Sequence, residues 1–157
     1  MALTTIDQIL VKQKSLQAIR DAGGSAVLAL KSFWMGRNQD GLNGKLYFLA
    51  FGDMTVDTVV ANAPGKVHFV YVKKGATATD AFYKVFDDDM NDSTAADAIL
   101  GLPMTGSGDE QWWASVAGAD CAVGVVHGSY TAFLGYNGST ASTSGDGPTG
   151  FIILGDA

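Results

Sequence analysis

The sequence predicts a mostly-β domain of the α+β class: an antiparallel β-sandwich or distorted barrel behind an N-terminal helical arm. Three observations carry that reading. Segments rich in β-branched, aromatic and aliphatic residues recur after Gly24, each bounded by Gly, Pro, Asn or Asp. They lack the regular strand–helix alternation that builds a parallel α/β sheet. The clearest helical signal is confined to residues 1–24. With 157 residues, 47% hydrophobic and 17% charged, the chain can bury one core and is too apolar to be disordered. We therefore divide it into an arm, residues 1–24, and a single β-rich domain, residues 25–157.

The arm opens with Thr5 before Ile6 and Gln8 three residues later, a capping-box pattern. Asp7 lies near the positive start of the helix, while Lys12, Lys14 and Arg20 lie toward its negative end. Gly23 and Gly24 stop it. Ile6, Ile9, Leu10 and Leu16 form a stripe that Gln13 and Gln17 interrupt. Such a stripe suits a helix lying on a surface, its own or a neighbour's.

Strands are expected at Ser25 to Trp34, Lys45 to Phe51 and Lys66 to Lys73, with Gly36 to Gly44 as a connecting turn or loop. In the third, His68, Val70 and Val72 are expected on one face, and Val67, Phe69 and Tyr71 on the other. Met54 to Ala61 favours strand, and Pro64-Gly65 ends it. Further strands are expected at Ala81 to Phe86, Ala122 to His127, Tyr130 to Tyr136 and Gly150 to Leu154, with a short helix at Ser93 to Leu100. The segment Asn137 to Gly150 has Ala141 as its one aliphatic side chain and reads as a long loop, mobile or held by a partner.

Composition excludes several classes of function. Residues 1–84 carry all ten Lys and Arg and six Asp, for +4, whereas residues 85–157 carry ten acidic residues and no Lys or Arg. A 73-residue stretch without a permanent cation cannot grip phosphates, so nucleic acid is not an expected partner. The longest unbroken apolar run, Leu46 to Phe51, is far too short for a membrane-spanning helix. Charges at Asp7, Lys12, Lys14 and Arg20 also speak against a secretory signal. The division of charge predicts a basic face toward a partner and an acidic face toward water.

Chemical motifs are few. Asp87, Asp89 and Asn91 match the first three ligand positions of an EF-hand loop, but Asp92 replaces the turn glycine and Ala98 the bidentate glutamate. A solvated acidic turn is the expectation, with no metal and no cofactor. Cys121 is the single cysteine, which excludes an internal disulfide, and a strand from it to His127 would separate the two side chains by roughly 20 Å. Pairing with His68 would require tertiary folding; a small buried thiol is the simpler reading. Gly106-Ser107-Gly108 opens like a dinucleotide fingerprint, but Gln111 stands at the third glycine position. Asn91 and Asn137 head glycosylation triplets that carry no meaning without secretion. For the pair Trp112-Trp113, burial of both rings in core and loop packing is the simpler expectation; the alternative, if they lie on a strand, is one ring in the core and one outward.

In its short N-terminal arm, Met1 to Gly24, and its Gly-, Ala-, Thr- and Asp-rich β domain, the chain resembles the decoration or cement proteins of tailed-phage heads. That resemblance implies a non-enzymatic virion protein made in the host cytoplasm. It would bind the capsid exterior as a homotrimer and clamp subunits of the major capsid protein. The expected partner-interface residues are Ile6, Ile9, Leu10, Lys12, Lys14, Leu16, Arg20, Trp112 and Trp113. The alternative is a carbohydrate-binding sandwich that stacks sugars on Trp112, Trp113, Tyr130 or Tyr136. A small hydrolase using Cys121 or an aspartate pair is the third reading.

Overall fold

The computed structural model describes residues 8–22, 26–39, 45–52, 54, 58–75, 80–89, 98–130 and 147–157, apart from the side chains of residues 8, 9, 21 and 22. Two helices, α1 (Gln8–Ala22) and α2 (Val27–Gln39), precede the strands. The strands are β1 (Leu46–Phe51), β2 (Thr58–Ala61), β3 (Gly65–Lys73), β4 (Ala81–Asp87), β5 (Ala98–Met104), β6 (Glu110–Cys121), β7 (Val125–Tyr130) and β8 (Thr149–Asp156). Every pairing is antiparallel. The strands form two sheets, ordered β1-β8-β3-β6 and β2-β7-β4-β5, and neither closes into a barrel. The expected mostly-β sandwich is therefore the fold.

The pairing is nested: β1 with β8, β2 with β7, β3 with β6 and β4 with β5. A long antiparallel hairpin bent at the β4–β5 connection, then rolled until β8 meets β3 and β7 meets β4, generates both sheets. This is jelly-roll winding. Its interior holds Val67, Val70, Val72, Ile152 and Leu154 from the first sheet against Val60, Tyr83, Val85, Met104 and Val125 from the second.

The first sheet is apolar on both faces. Leu46, Phe69, Tyr71, Phe151 and Ile153 point away from the sandwich interior and lie beneath Val11 and Ile19 of α1 and Leu30, Phe33 and Trp34 of α2. The molecule thus has three layers: helices, sheet, sheet. Each fully buried aliphatic or aromatic side chain there contributes about 1.5–3 kcal/mol. The arm boundary at Gly24 does not separate what packs together, because α1 belongs to the same cluster as the sheet. Its buried face runs through Val11, Ser15 and Ile19, while Leu10 of the expected stripe is exposed. Ser15 is accommodated because its hydroxyl donates to the Lys12 carbonyl at 3.0 Å and accepts from Trp34 Nε1 at 3.3 Å.

Several expectations are corrected. Ser25 to Trp34 is not a strand; α2 runs from Val27 through Gly36 to Gln39. Leu28, Ala29, Leu30 and Met35 are strong helix formers, and Leu30, Phe33, Trp34 and Arg37 bury one face at helical spacing. The segment expected as a helix, Ser93 to Leu100, ends in strand β5, which starts at Ala98; residues 90–97 lie outside the described residues. The 12-residue β6 was not expected as a strand over its length. The capping box at Thr5, both glycosylation triplets and most of the Asn137 to Gly150 loop also lie outside the described residues.

The division of charge does not survive folding. Late strands β7 and β8 are inserted between early ones, and Lys66 pairs with Asp120 at 3.1 Å and Lys73 with Glu110 at 3.5 Å across β3 and β6. Basic and acidic segments alternate through the sheets instead of forming two faces.

Candidate functional site

The expected interface residues do not gather in one place. Ile6 lies outside the described residues, as does the side chain of Ile9. On α1, Leu10, Lys14 and Arg20 are exposed, Lys12 is half-buried, and Leu16 packs at the margin of the helix–sheet cluster. Arg20 donates to the Gln17 side-chain oxygen at 2.6 Å. The tryptophans split as the strand geometry predicts: Trp113 packs against the sandwich interior, while Trp112 is 45% exposed on the helix side.

Trp112 forms part of a groove between α2 and β6, lined by Ala29, Ser32, Phe33, Trp112, Ala114 and Val116, with a volume of about 330 Å³. Leu28 and Met35 are spaced i, i+7 on α2 and flank Ser32, so they continue this surface on the helix. They are 75% and 61% exposed. An α-helix that is apolar on its outer face as well as its inner one has more apolar surface than its own fold covers. Sequence reading missed Leu28 and Met35 because it assigned them to a strand and its end.

A second site lies at the far end of α2. Its chain geometry comes from two irregularities in the first sheet. In β3 the register against β8 slips between Val67 and Phe69, so His68 is an extra residue in the strand. The slip places Val67 with Val70 and Val72 in the interior cluster, correcting the face expected from simple alternation. It also turns His68 toward α2, where its ring lies 6.3 Å from that of Phe33. Opposite it, β6 bulges between Ala114 and Ala119. Gly118, with φ at +86°, makes the bend, and its N–H donates to the Ser115 hydroxyl at 3.0 Å. A Cβ at Gly118 would lie 2.8 Å from His68 Cε1 and 2.9 Å from Lys66 Cβ, so the glycine is required both by conformation and by space.

These bulges border a pocket of about 260 Å³ that also takes in Arg37, Lys45, Lys66 and the end of β8 at Asp156. Arg37 is only 3% exposed, and its buried Nε has no hydrogen-bond partner among the described residues. Its Cζ lies 6.0 Å from the centre of the Phe33 ring. His68 Nδ1 is 3.3 Å from the Ser115 carbonyl oxygen. Burial lowers the His68 pKa from its usual 6.5, and the positive charges of Arg37 and Lys66 lower it further, against hydrogen bonds to Ser115 and Val116 that raise it.

The remaining chemical candidates are structural. Cys121 is buried in the sandwich interior, and burial followed by the charges of Asp87 and Asp120 pushes its thiol up to about 12. That is the opposite of what a nucleophile needs. His127 is enclosed between the sheets beside Phe51 and Tyr83. Asp87 uses its carboxylate to accept backbone N–H bonds from Ala122, Val123 and Gly124 at 2.9, 2.8 and 3.3 Å. Asn91, its partner in the EF-hand comparison, lies outside the described residues. Among the described residues no cluster of three His, Cys, Asp or Glu side chains has the geometry of a metal site. No helix among them is long and apolar enough to cross a membrane. Compared with protein families, curated proteins and solved structures, the chain matches none.

Proposed function

We propose that this chain is a non-enzymatic structural protein of a virion, a decoration or cement protein on the outer surface of a phage capsid. In this reading it assembles as a homotrimer and reinforces contacts between major capsid subunits. The observation that carries the proposal is the apolar outer face of α2, where Leu28 and Met35 stand exposed beside the groove of Trp112. A second copy of the chain is the occupant proposed for this face, since large apolar and aromatic side chains supply the buried centre of stable interfaces. The exposed side of α1, with Leu10, Lys14 and Arg20, is then left for the coat protein. Jelly-roll winding supports the reading by analogy alone, because viral capsid and lectin domains both use it.

The carbohydrate reading has less support. Trp112 is the one exposed aromatic ring among the described residues, Tyr130 is buried, and Tyr136 lies outside them. A sugar platform of paired rings is therefore not assembled from the residues proposed for it.

Light scattering tests the proposal. The parent chain should give the mass of three 16.3 kDa copies, and the triple variant Leu28→Ser, Met35→Ser, Trp112→Ser should give one, with an unchanged circular dichroism spectrum. A parent chain that stays monomeric at high concentration would remove the homotrimer. A gene for a coat protein beside its own would support attachment to a capsid.

A further inference from the structure

The pocket at the C-terminal end of α2 adjoins the apolar groove at Val116, but its chemistry points elsewhere. Arg37, Lys45 and Lys66 bring three permanent cations to its lining, against one side-chain carboxylate, Asp156. That carboxylate is already engaged, accepting from the Tyr47 hydroxyl at 2.9 Å. Lys66 has Asp120 at 3.1 Å on the flank of β6. Arg37 has no such relief: among the described residues no carboxylate comes within ion-pairing distance of it. A guanidinium keeps its charge even when burial lowers its pKa, as it does here. An uncompensated buried charge is among the costlier features a fold can retain. An anion entering the pocket would meet a lining guanidinium whose planar fork matches two oxygens of one carboxylate or phosphate.

The surroundings are constructed around that position. The bulges in β3 and β6 border the space, and strand irregularities of this kind commonly re-aim side chains at binding sites. Gly155 keeps the opposite wall low: a Cβ there would stand 2.6 Å from His68 Nε2. Lys45 is exposed at the mouth, where it can attract an anion without being buried itself.

We propose that this pocket binds a small oxyanion, a carboxylate or a phosphate, through the Arg37 guanidinium, with Lys66 and Lys45 adding attraction. The volume of about 260 Å³ suits an oxyanion with a short substituent. The charged side chains that line the pocket with His68 are Arg37 from α2, Lys45, Lys66 from its own strand and Asp156 from β8, and of these Arg37 and Lys66 act on its pKa. A bound anion would oppose the two cations and raise the His68 pKa toward its ordinary value.

The test uses the full chain at pH 7.5 with ionic strength held constant by sodium chloride. Titration calorimetry and thermal unfolding are run with inorganic phosphate in one arm and succinate in the other. The tighter arm identifies the anion class, and a Kd of about 1 mM or below is expected in it. Arg37→Met should melt no lower than the parent in chloride alone, since it removes an unpaired buried charge, and should bind at least tenfold more weakly. Lys45→Gln, an exposed change, should weaken binding about threefold, and the His68 ring resonances should shift with anion only in the parent and Lys45→Gln. The proposal is overturned if neither anion binds the parent more tightly than chloride does. It is equally overturned if Arg37→Met binds like the parent. Should Arg37→Met fail to fold, undiminished binding by a Lys45→Gln, Lys66→Gln double variant overturns it.

Discussion

The Tyr83 hydroxyl lies 2.8 Å from Nδ1 of His127, and both residues are fully enclosed between the two sheets. Phe51, from the opposite sheet, stacks on Tyr83 at 5.5 Å and meets the imidazole edge-on at 5.0 Å. Desolvation favours the neutral form of each polar group: it raises the Tyr83 pKa well above 10 and lowers that of His127 to about 3.

Stability should therefore fall in mild acid. In the unfolded chain His127 takes up a proton near pH 6.5, while in the fold it stays neutral down to about pH 3. Between those values unfolding binds a proton, so stability rises with pH and is lost as pH drops. The slope from this residue approaches about 1.4 kcal/mol per pH unit well inside that window. His68, lowered in the same direction, adds to it. Urea unfolding of the parent and of His127→Gln at pH 7 and pH 4.5 checks the origin. The variant should show a distinctly smaller acid loss, and equal losses would refute the assignment.

Asp87 should matter more than its aspartate neighbours. Its carboxylate holds the β6–β7 turn through three backbone donors, a geometry equivalent to a helix cap. Its partial burial raises the pKa, but the three N–H bonds outweigh that and bring it below the usual carboxylate range. Asp87→Ala should cost about 0.5–2 kcal/mol, the range of a lost cap, whereas Asp89→Ala should be nearly neutral. Asp89 is exposed, and the bond it does make is from its own backbone N–H to the Asp88 carboxylate, at 2.7 Å. Chemical denaturation of both variants decides the matter, and equal midpoints would show that the turn does not depend on the carboxylate.

Deleting residues 1–22 should destabilise the domain and not merely detach it from a partner. Val11 and Ile19 are completely buried over Phe69, Phe151 and Ile153. Their removal forfeits about 1.5–3 kcal/mol each and exposes the sheet beneath, against a typical total stability of about 5–15 kcal/mol. The truncated chain should melt at a clearly lower temperature or aggregate. If it melts with the parent, the helix is an arm after all.

How much of this was legible in the sequence depended on whether local pattern and tertiary role agreed. β1, β3, β4 and β8 were recognisable because runs such as Leu46 to Phe51 are continuously apolar or β-branched and bounded by turn residues. Helix α2 was misread because Leu28 and Met35 are apolar on the face opposite Leu30 and Trp34, which erases the helical period. β6 carries Ala, Ser, Gly and Asp around its bulge and so lacks a strand's composition. Strand alternation offered the split of Trp112 from Trp113 as the alternative to burying both, and only the assignment of β6 as a strand decides for it. The cationic pocket left no local trace: Arg37, His68 and Asp156 meet only because α2 crosses the sheet beside two register slips.

The nested strand order also constrains the timing of folding. β8 follows all the other described strands along the sequence, yet it lies between β1 and β3 in the middle of its sheet. Until β8 docks, β1 has no partner in that sheet among the described strands and β3 lacks one neighbour. Contacts so distant along the chain must close large loops before they repay the entropy, which makes formation slow. A chain in which β8 has not docked leaves Leu46 and Phe69 without Phe151 and Ile153 beside them. A variant that lacks β8, from Thr149 onward, should therefore yield insoluble protein.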